Sequence, residues 1–251
     1  MSANGKIGVA IQGAGLVSSG HLNAYLRNPR TQVVAIGSRT LAGAEAKARE
    51  VGIDPSTINL YDDVNALLAD PAVDALSICT PPQLHAAEGI AAARAGKHFL
   101  IEKPISMNSA ELADLDVAVR DAGVKTVCGF VLRYNPMVET AHRLIQDNMF
   151  GELLYIQADY WHNPVHSGYP AHLDASAMML GGVHALDMAR YLMGSDIAEV
   201  TAFETSFDPT APFPANQTAI VKFTNGRIGK ISACVEHWAP YQFNIDLLGT
   251  D

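Results

Sequence analysis

Runs of basic residues are missing from this chain. Its 251 residues carry 17 Lys and Arg against 26 Asp and Glu, a net charge of −9. An acidic chain without a basic cluster is poorly suited to nucleic acid or to an anionic membrane, which recruit proteins through positive charge. Long apolar runs are missing too: no segment approaches the ~20 residues that a spanning helix needs. Cysteine is scarce, and the three present, Cys79, Cys128 and Cys234, are far apart and odd in number. Each lies in an apolar, strand-like run, so buried reduced thiols fit better than disulfides or zinc ligands. The opening Met1-Ser2-Ala3-Asn4-Gly5-Lys6 leads into an apolar strand without a signal-peptide core and cleavage site. A cytoplasmic protein without nucleic-acid or membrane partners is therefore expected. Charge of either sign is low at 17%, while hydrophobic residues make up 49%, so the chain can bury one large core or two modest ones.

What is present begins with a strand, Lys6 to Gln12, that runs into Gly13-Ala14-Gly15-Leu16-Val17-Ser18 and then a helical pattern through Leu22, Tyr25 and Leu26. This is a dinucleotide fingerprint with Ser18 in place of the last glycine. The first glycine makes the tight turn, the second admits a pyrophosphate, and a small third residue allows close helix packing. The helix N-terminus offers free N–H groups and a positive dipole to the phosphates. Gly13, Gly15, Leu16 and Val17 are the candidate contacts. A second strand, Thr31 to Gly37, ends in Ser38-Arg39-Thr40. An acid at this place holds a ribose 2′-hydroxyl, whereas an arginine suits a 2′-phosphate. The strand end has no acid, which favours NADP, with NAD the alternative. Arg39 as a solvated side chain and Thr40 as a helix cap stand beside that reading.

Strands at Ile58–Tyr61 and Val73–Thr80 follow, with helices at Leu41–Glu50 and around Val64, Leu67 and Leu68, the latter capped by Asp62 or Asp63. The Val73–Thr80 strand leads into Thr80-Pro81-Pro82-Gln83-Leu84-His85. Thr80, Pro81 and His85 are placed to face a cofactor across the strand ends, with a helix-surface position the alternative for His85. A helix from Leu84 to Ala95 then ends at Gly96. The next strand, His98 to Ile101, delivers Glu102-Lys103-Pro104 to the carboxyl end of the sheet, where ligands bind in open parallel folds. Pro104 keeps Lys103 out of the helical region, so the chain turns where Lys103 emerges. A helix capped at Asn108 and a strand from Thr126 to Tyr134 follow, then a helix opened by Asn135-Pro136.

From Glu152 the pattern changes. A long strand, Leu153 to Trp161, precedes a loop with His162, His166 and His172, and a helical stretch from Ala175 to Met193. Ala198–Phe207, Gln217–Thr224, Arg227–Trp238 and Tyr241–Leu248 are strand-like, with Asn225-Gly226 as a hairpin turn. Helices alternate with strands in the first half, and strands are consecutive in the second. The expected fold is α/β: a doubly wound parallel sheet over residues 1–125, then an α+β domain with a largely antiparallel open sheet over 126–251.

Taken together, these motifs resemble the glucose–fructose oxidoreductase / inositol dehydrogenase (Gfo/Idh/MocA) family. The resemblance rests on the N-terminal glycine turn, Cys79-Thr80-Pro81-Pro82 with His85, Gly96-Lys97-His98 with Glu102-Lys103-Pro104, Gly129-Phe130 with Arg133-Tyr134-Asn135-Pro136, Gly151-Glu152, and Gly182-Val183-His184 with Asp187. It implies a Rossmann domain, and a substrate domain whose open sheet builds a homo-oligomer, a dimer or a tetramer. It also implies NAD(P)-linked oxidation or reduction of a sugar, polyol or related small carbonyl compound. Lys103 matches the family's active-site lysine, near nicotinamide and the reacting hydroxyl, and the Lys103-Pro104 bond is often cis in relatives. His184 matches a helix-borne acid–base histidine. Glu102 and Lys103 join the cofactor set, and Arg133, Tyr160, His162, His166 and Asp187 are the substrate-side candidates. No metal is expected, because an ammonium can polarise the reacting oxygen. Many relatives carry an Asp four residues before the histidine, where this chain has Leu180, and Asp187 is a possible substitute. That departure keeps two other functions in view, an NAD-assisted glycosidase and a cofactor-binding sensor without chemistry. The last strand, Tyr241–Leu248, is expected inside a sheet rather than at its edge, so a longer natural chain or a second subunit covering Gln217–Leu248 is expected.

Overall fold

Residues 5–163, 175–209 and 213–251 are described by the structure, a computed structural model. The chain divides into two units, Met1–Gly129 and Phe130–Asp251.

The first unit holds β1 (Ile7–Gln12), β2 (Thr31–Gly37), β3 (Asn59–Tyr61), β4 (Ala75–Ile78), β5 (His98–Ile101) and β6 (Thr126–Cys128). They form one sheet in the order β3-β2-β1-β4-β5-β6, and every pair is parallel. The strands alternate their side chains between two covering layers. Val9, Ile11, Val33 and Ile36 pack with Leu22, Ala44 and Ala48 of α1 (Leu16–Arg27) and α2 (Leu41–Glu50). Ala10, Leu76, Ile78, Phe99 and Ile101 pack with residues of α3 (Val64–Ala69), α4 (Pro82–Arg94) and α5 (Ser109–Ala122). Small residues on α4, such as Ala92 and Ala93, let that helix lie close to the sheet. The caps follow the sequence: Asp63 accepts from Ala66 N at 2.8 Å, and Asn108 from Glu111 N at 2.9 Å.

One expected strand is shorter. The chain from Thr126 pairs with β5 only as far as Cys128, and Val131–Tyr134 forms a 3-10 turn. Gly129 explains the stop. A Cβ there would lie 2.8 Å from the Glu102 carboxylate, so the backbone passes over that group and leaves the sheet. Because β6 belongs to the first sheet, the units divide after Gly129 rather than after residue 125.

The second unit holds α6 (Pro136–Gln146), β7 (Leu153–Trp161), α7 (Val183–Met193), β8 (Ile197–Thr205), β9 (Asn216–Phe223), β10 (Ile228–Cys234) and β11 (Gln242–Gly249). Its sheet runs β11-β7-β10-β9-β8, with β7 and β10 parallel and the other pairs antiparallel. β11 pairs with β7 and stands at the sheet edge, not inside it as its alternation suggests. Ile156, Ala158, Tyr160, Val221 and Ile231 face Ala185, Met188, Ala189 and Leu192 of α7 across the core. The register puts Phe203, Ile220, Ile228 and Leu248 on the opposite face, where all four are exposed. At the middle of that face Asp159 is buried by its own partners: it accepts from Ser232 Oγ, from Gln157 Nε2 at 2.8 Å, and pairs with Lys230 at 3.1 Å.

Candidate active site

In the first unit the strand order reverses between β1 and β4, and the chain leaves both strands there in opposite lateral directions. A crevice at such a point is where open α/β sheets take their ligands. Gly13 follows β1 with φ +104°, and its N–H donates to Gly37 O at 2.9 Å. A Cβ on Gly13 would lie 2.6 Å from the Cys79 carbonyl carbon and oxygen and 2.8 Å from Thr80 N, so no other residue fits. Gly15 differs, because a Cβ there would meet only Cys79 O at 4.0 Å, leaving open space before α1. The first turn of α1 has no acidic residue, and Gly15 supplies no side-chain cap. Its leading N–H groups are thus left for an anion. Ser18, in the third glycine's place, is buried and donates from Oγ to Gly15 O at 2.6 Å, bracing the turn. These features fit a dinucleotide pyrophosphate. Leu16 is exposed beside the opening, and Val17 is half-buried.

At the end of β2, Arg39 is exposed and Ser38 half-buried. The Thr40 hydroxyl caps α2 by accepting from Gly43 N at 3.1 Å, the alternative held open by the sequence. At the end of β4, Pro81 is exposed and caps α4. Thr80 turns its hydroxyl inward, donating to Glu88 Oε2 at 2.5 Å, while Gln12 Nε2 donates to the other oxygen at 2.9 Å.

Two cofactor candidates are corrected by their surroundings. His85 is 1% exposed, with Nδ1 2.6 Å from Pro104 O and Nε2 2.8 Å from Thr80 O. The buried ring lies between two main-chain carbonyls, so His85 braces the turn that carries Lys103 instead of standing on the helix surface. Glu102 is also turned inward. Its Oε1 lies 3.0 Å from His21 Nε2, and its Oε2 accepts from Lys103 N at 3.3 Å. Burial acts to raise the Glu102 pKa, but His21 and Lys103 outweigh it and hold the carboxyl below its usual range. The Lys103-Pro104 peptide is cis. Burial pushes the Lys103 ammonium below its ordinary value, against the opposing pull of Glu102 and then Cys128. An amine lowered in this way is better able to exchange a proton near neutrality. Nearby, Cys79 is pushed up to about 12 by burial, with Glu102 and Glu88 adding to the rise, so it stays a thiol.

In the second unit His184 is buried near the start of α7, just after a π-helical turn at Met178–Gly182. Tyr160 stacks on its ring, with centroids 5.6 Å apart and an interplanar angle of 25°. Gly181 makes room, since a Cβ there would meet the Tyr160 ring at 2.0 Å. Tyr160 OH lies 3.4 Å from His162 Nδ1, and Tyr241 packs edge-on to both rings. His162, His237, Trp238, Pro240 and Tyr241 are among the residues lining a concavity of about 230 Å³. Such an aromatic wall with imidazole donors suits the apolar face and hydroxyl rim of a sugar ring.

Arg133 and Asp187 meet each other. Arg133 Nε donates to Asp187 Oδ2 at 2.8 Å and Nη2 to Oδ1 at 2.5 Å, and its guanidinium lies 4.8 Å from the Tyr191 ring centroid. Both Asp187 oxygens are thus engaged by arginine. His166 lies outside the described residues. Sequence reasoning missed His21, Ser77, Tyr25 and Glu88. The available signal was the spacing of Ser18, Leu22 and Tyr25, which marks the sheet-facing side of α1 and brings His21 alongside.

Comparison with known proteins agrees with this fold. A family model described as oxidoreductase family, NAD-binding Rossmann fold, matches residues 7–130, and one described as GFO/IDH/MocA C-terminal domain matches 138–251. The chain is 30% identical to the oxidoreductase YrbE of Bacillus subtilis over 98% of its own length and 72% of that protein's. It is 28% identical to levoglucosan dehydrogenase of Pseudarthrobacter phenanthrenivorans, over 91% of this chain and 67% of that one. The structure of scyllo-inositol dehydrogenase from Lactobacillus casei with NAD(H) and scyllo-inositol superposes with a TM-score of 0.87, at 18% identity, covering 98% of this chain and 74% of that one.

Proposed function

This chain belongs to the GFO/IDH/MocA oxidoreductase family, and from that premise we propose that it moves a hydride between a nicotinamide dinucleotide and a secondary hydroxyl carbon of a sugar or polyol. The observation that carries this reading is the Gly13–Gly15 cradle joined in one sheet to the half-buried, acid-flanked Lys103. The bound dinucleotide supplies or accepts the hydride. Lys103 donates a hydrogen bond to the reacting oxygen and exchanges its proton as the C–H bond breaks or forms. His184 is the second acid–base residue, held by the stacked ring of Tyr160. His162 and Tyr160 line the sugar side. Relatives named as levoglucosan dehydrogenase and scyllo-inositol 2-dehydrogenase, each 28% identical to this chain, support a ring bearing several hydroxyls as the substrate class. The scarce, widely spaced cysteines suit a reducing compartment such as the cytoplasm. Among the described residues, no helix is long and apolar enough to cross a membrane.

NADP is the preferred cofactor in this reading, because Arg39 stands where an acid would select NAD. Titration of protein fluorescence with NADPH and NADH tests both levels at once. Binding of neither removes the reading. With Arg39→Asp, the carboxylate repels a 2′-phosphate, and the NADPH to NADH affinity ratio falls by about tenfold or more, the value of ~1.4 kcal/mol. An unchanged ratio shows that Arg39 does not touch the cofactor.

The open face of the second sheet is proposed as a homo-oligomer contact. Phe203, Ile220, Ile228 and Leu248 form its exposed apolar positions around the self-paired Asp159 cluster. A self-complementary patch of this kind suits a two-fold contact with a second copy. Light scattering gives a dimer or larger for the wild type and a smaller species for Ile220→Lys. A wild-type monomer rejects the contact.

A further inference from the structure

Lys103 has an anion beneath it, and that anion is itself held from another element. Glu102 Oε1 lies 3.0 Å from Nε2 of His21, which α1 carries over the sheet. The ring's other nitrogen, Nδ1, is 3.2 Å from Ser77 Oγ, and Ser77 Oγ is 2.6 Å from Tyr25 OH. A neutral imidazole satisfies this chain in one direction. Tyr25 donates to Ser77, Ser77 donates to Nδ1, and Nε2–H donates to Glu102. The second Glu102 oxygen faces the N–H of Lys103, and the backbone at Gly129 closes over the carboxylate so tightly that a Cβ would sit 2.8 Å away. The carboxylate is thus confined by Gly129 and the Lys103 N–H, and His21 contacts it with a side-chain nitrogen from another element.

We propose that His21 is a positioning residue for the reaction: it fixes the Glu102 carboxylate as the counter-charge of Lys103, and so sets where that ammonium sits and at what pH it releases its proton. His21 rides on the helix whose N-terminus forms the dinucleotide turn, so the Lys103 turn is tied to the cofactor cradle through a side chain as well as through the sheet. The charged and titratable groups facing this pair come from every neighbouring element. Among them are Cys128 at the end of β6, Cys79 at the end of β4, Glu88 on α4 beyond Cys79, and Tyr25 on α1. Cys79 and Tyr25 are both shifted upward, chiefly by burial, and remain neutral at ordinary pH. Glu102 is the largest influence opposing burial at Lys103, with Cys128 next.

The proposal rests on the reading of Lys103 given above, and its test needs no substrate. Competitive acetylation with acetic anhydride, quantified at the Lys103 peptide by mass spectrometry across pH, follows the titration of this amine in the folded protein. Removing an anion beside an ammonium lowers the ammonium's pKa, so Glu102→Gln moves the labelling midpoint to lower pH by about one unit or more. His21→Asn keeps an amide near Nδ1 but cannot reach Glu102, and it shifts the midpoint the same way by about half a unit. His21→Gln extends its amide to the Nε2 position and restores the wild-type midpoint. The double variant of Glu102→Gln with His21→Asn goes no lower than Glu102→Gln alone. Ser77→Ala, which frees the ring at Nδ1, gives a shift of the same sign and serves if His21→Asn does not fold. A wild-type midpoint in the folded His21→Asn or Ser77→Ala variant overturns the proposal. Retained turnover in Lys103→Ala would instead remove the catalytic reading while leaving these midpoints in place, so the two failures are distinguishable.

Discussion

Lys103→Ala lowers turnover by about a hundredfold or more while leaving dinucleotide affinity within a few-fold of wild type. The size follows from what the ammonium does. A developing or disappearing alkoxide needs a donor at the moment hydride moves, and a positioned proton-transfer group contributes ~10²–10⁴ in rate. Burial lowers the Lys103 pKa, and Glu102 and then Cys128 restrain that fall, so the amine gives up its proton more readily than an exposed lysine does. In the proposed reading dinucleotide affinity is carried elsewhere, by the glycine turn and the α1 N-terminus, where a Cβ on Gly15 meets only Cys79 O at 4.0 Å. Truncation at Lys103 therefore separates chemistry from binding. Single-turnover rates with NADPH or NADH and a panel of inositols and anhydrosugars, set beside fluorescence titration of the same variant, make the measurement. Near wild-type turnover shows that Lys103 is not the proton-handling group. A fall in affinity matching the fall in rate assigns it to cofactor binding alone.

Gly13→Ala and Gly15→Ala part company in the same way. At Gly13 the new methyl meets the Cys79 carbonyl group at 2.6 Å and Thr80 N at 2.8 Å, on a backbone with φ +104°. Those atoms belong to the end of β4 and cannot rotate away as a side chain would. The strained backbone alone costs about 1–3 kcal/mol, and the clash adds to it by forcing β1 and β4 apart at the switch point. Gly13→Ala thus loses about 2–4 kcal/mol of stability in urea unfolding and weakens dinucleotide binding with it. Gly15→Ala keeps wild-type stability, because its methyl meets only Cys79 O at 4.0 Å. In the proposed reading that methyl enters the space of the pyrophosphate, so affinity falls by about tenfold or more. Equal stability loss in the two variants would contradict the assignment of the space over Gly15 to a ligand.

Much of the fold was legible because hydrophobic alternation and capping are local. Ile7–Gln12, Thr31–Gly37 and His98–Ile101 announce themselves as apolar strands, and Asn108 and Asn135 cap the helices they precede. The misread places are those where a partner distant in sequence decides. Thr126 to Tyr134 has strand composition throughout, yet Glu102 needs the backbone at Gly129 to pass over it, and the strand ends. The candidate site shows the same division. Gly13 and Gly15 can be read from spacing, and the turn's own geometry demands the first of them. His85 and Glu102 stand in the right motif, but their side chains turn inward to Pro104 and His21. Asp187 sits one helical turn from His184, yet its oxygens are taken by Arg133, 54 positions earlier. Short-range pattern gives the position of a side chain on its element, whereas the choice of partner is made by topology.

The parallel pairing of β7 with β10 has a consequence for the order in which the molecule comes into being. β7 ends at Trp161, but its neighbours in the sheet, β10 and β11, begin only at Ile228 and Gln242. On the ribosome, α7, β8 and β9 all emerge while β7 still lacks both ladders. The antiparallel run β8-β9-β10 closes through adjacent contacts, whereas β7 must cross a long loop to reach its place, and long-range parallel pairing is the slow kind. Throughout that interval Ile156, Ala158 and Tyr160 form an apolar stripe on an unpaired strand, the sort of segment that chaperones shield in nascent chains.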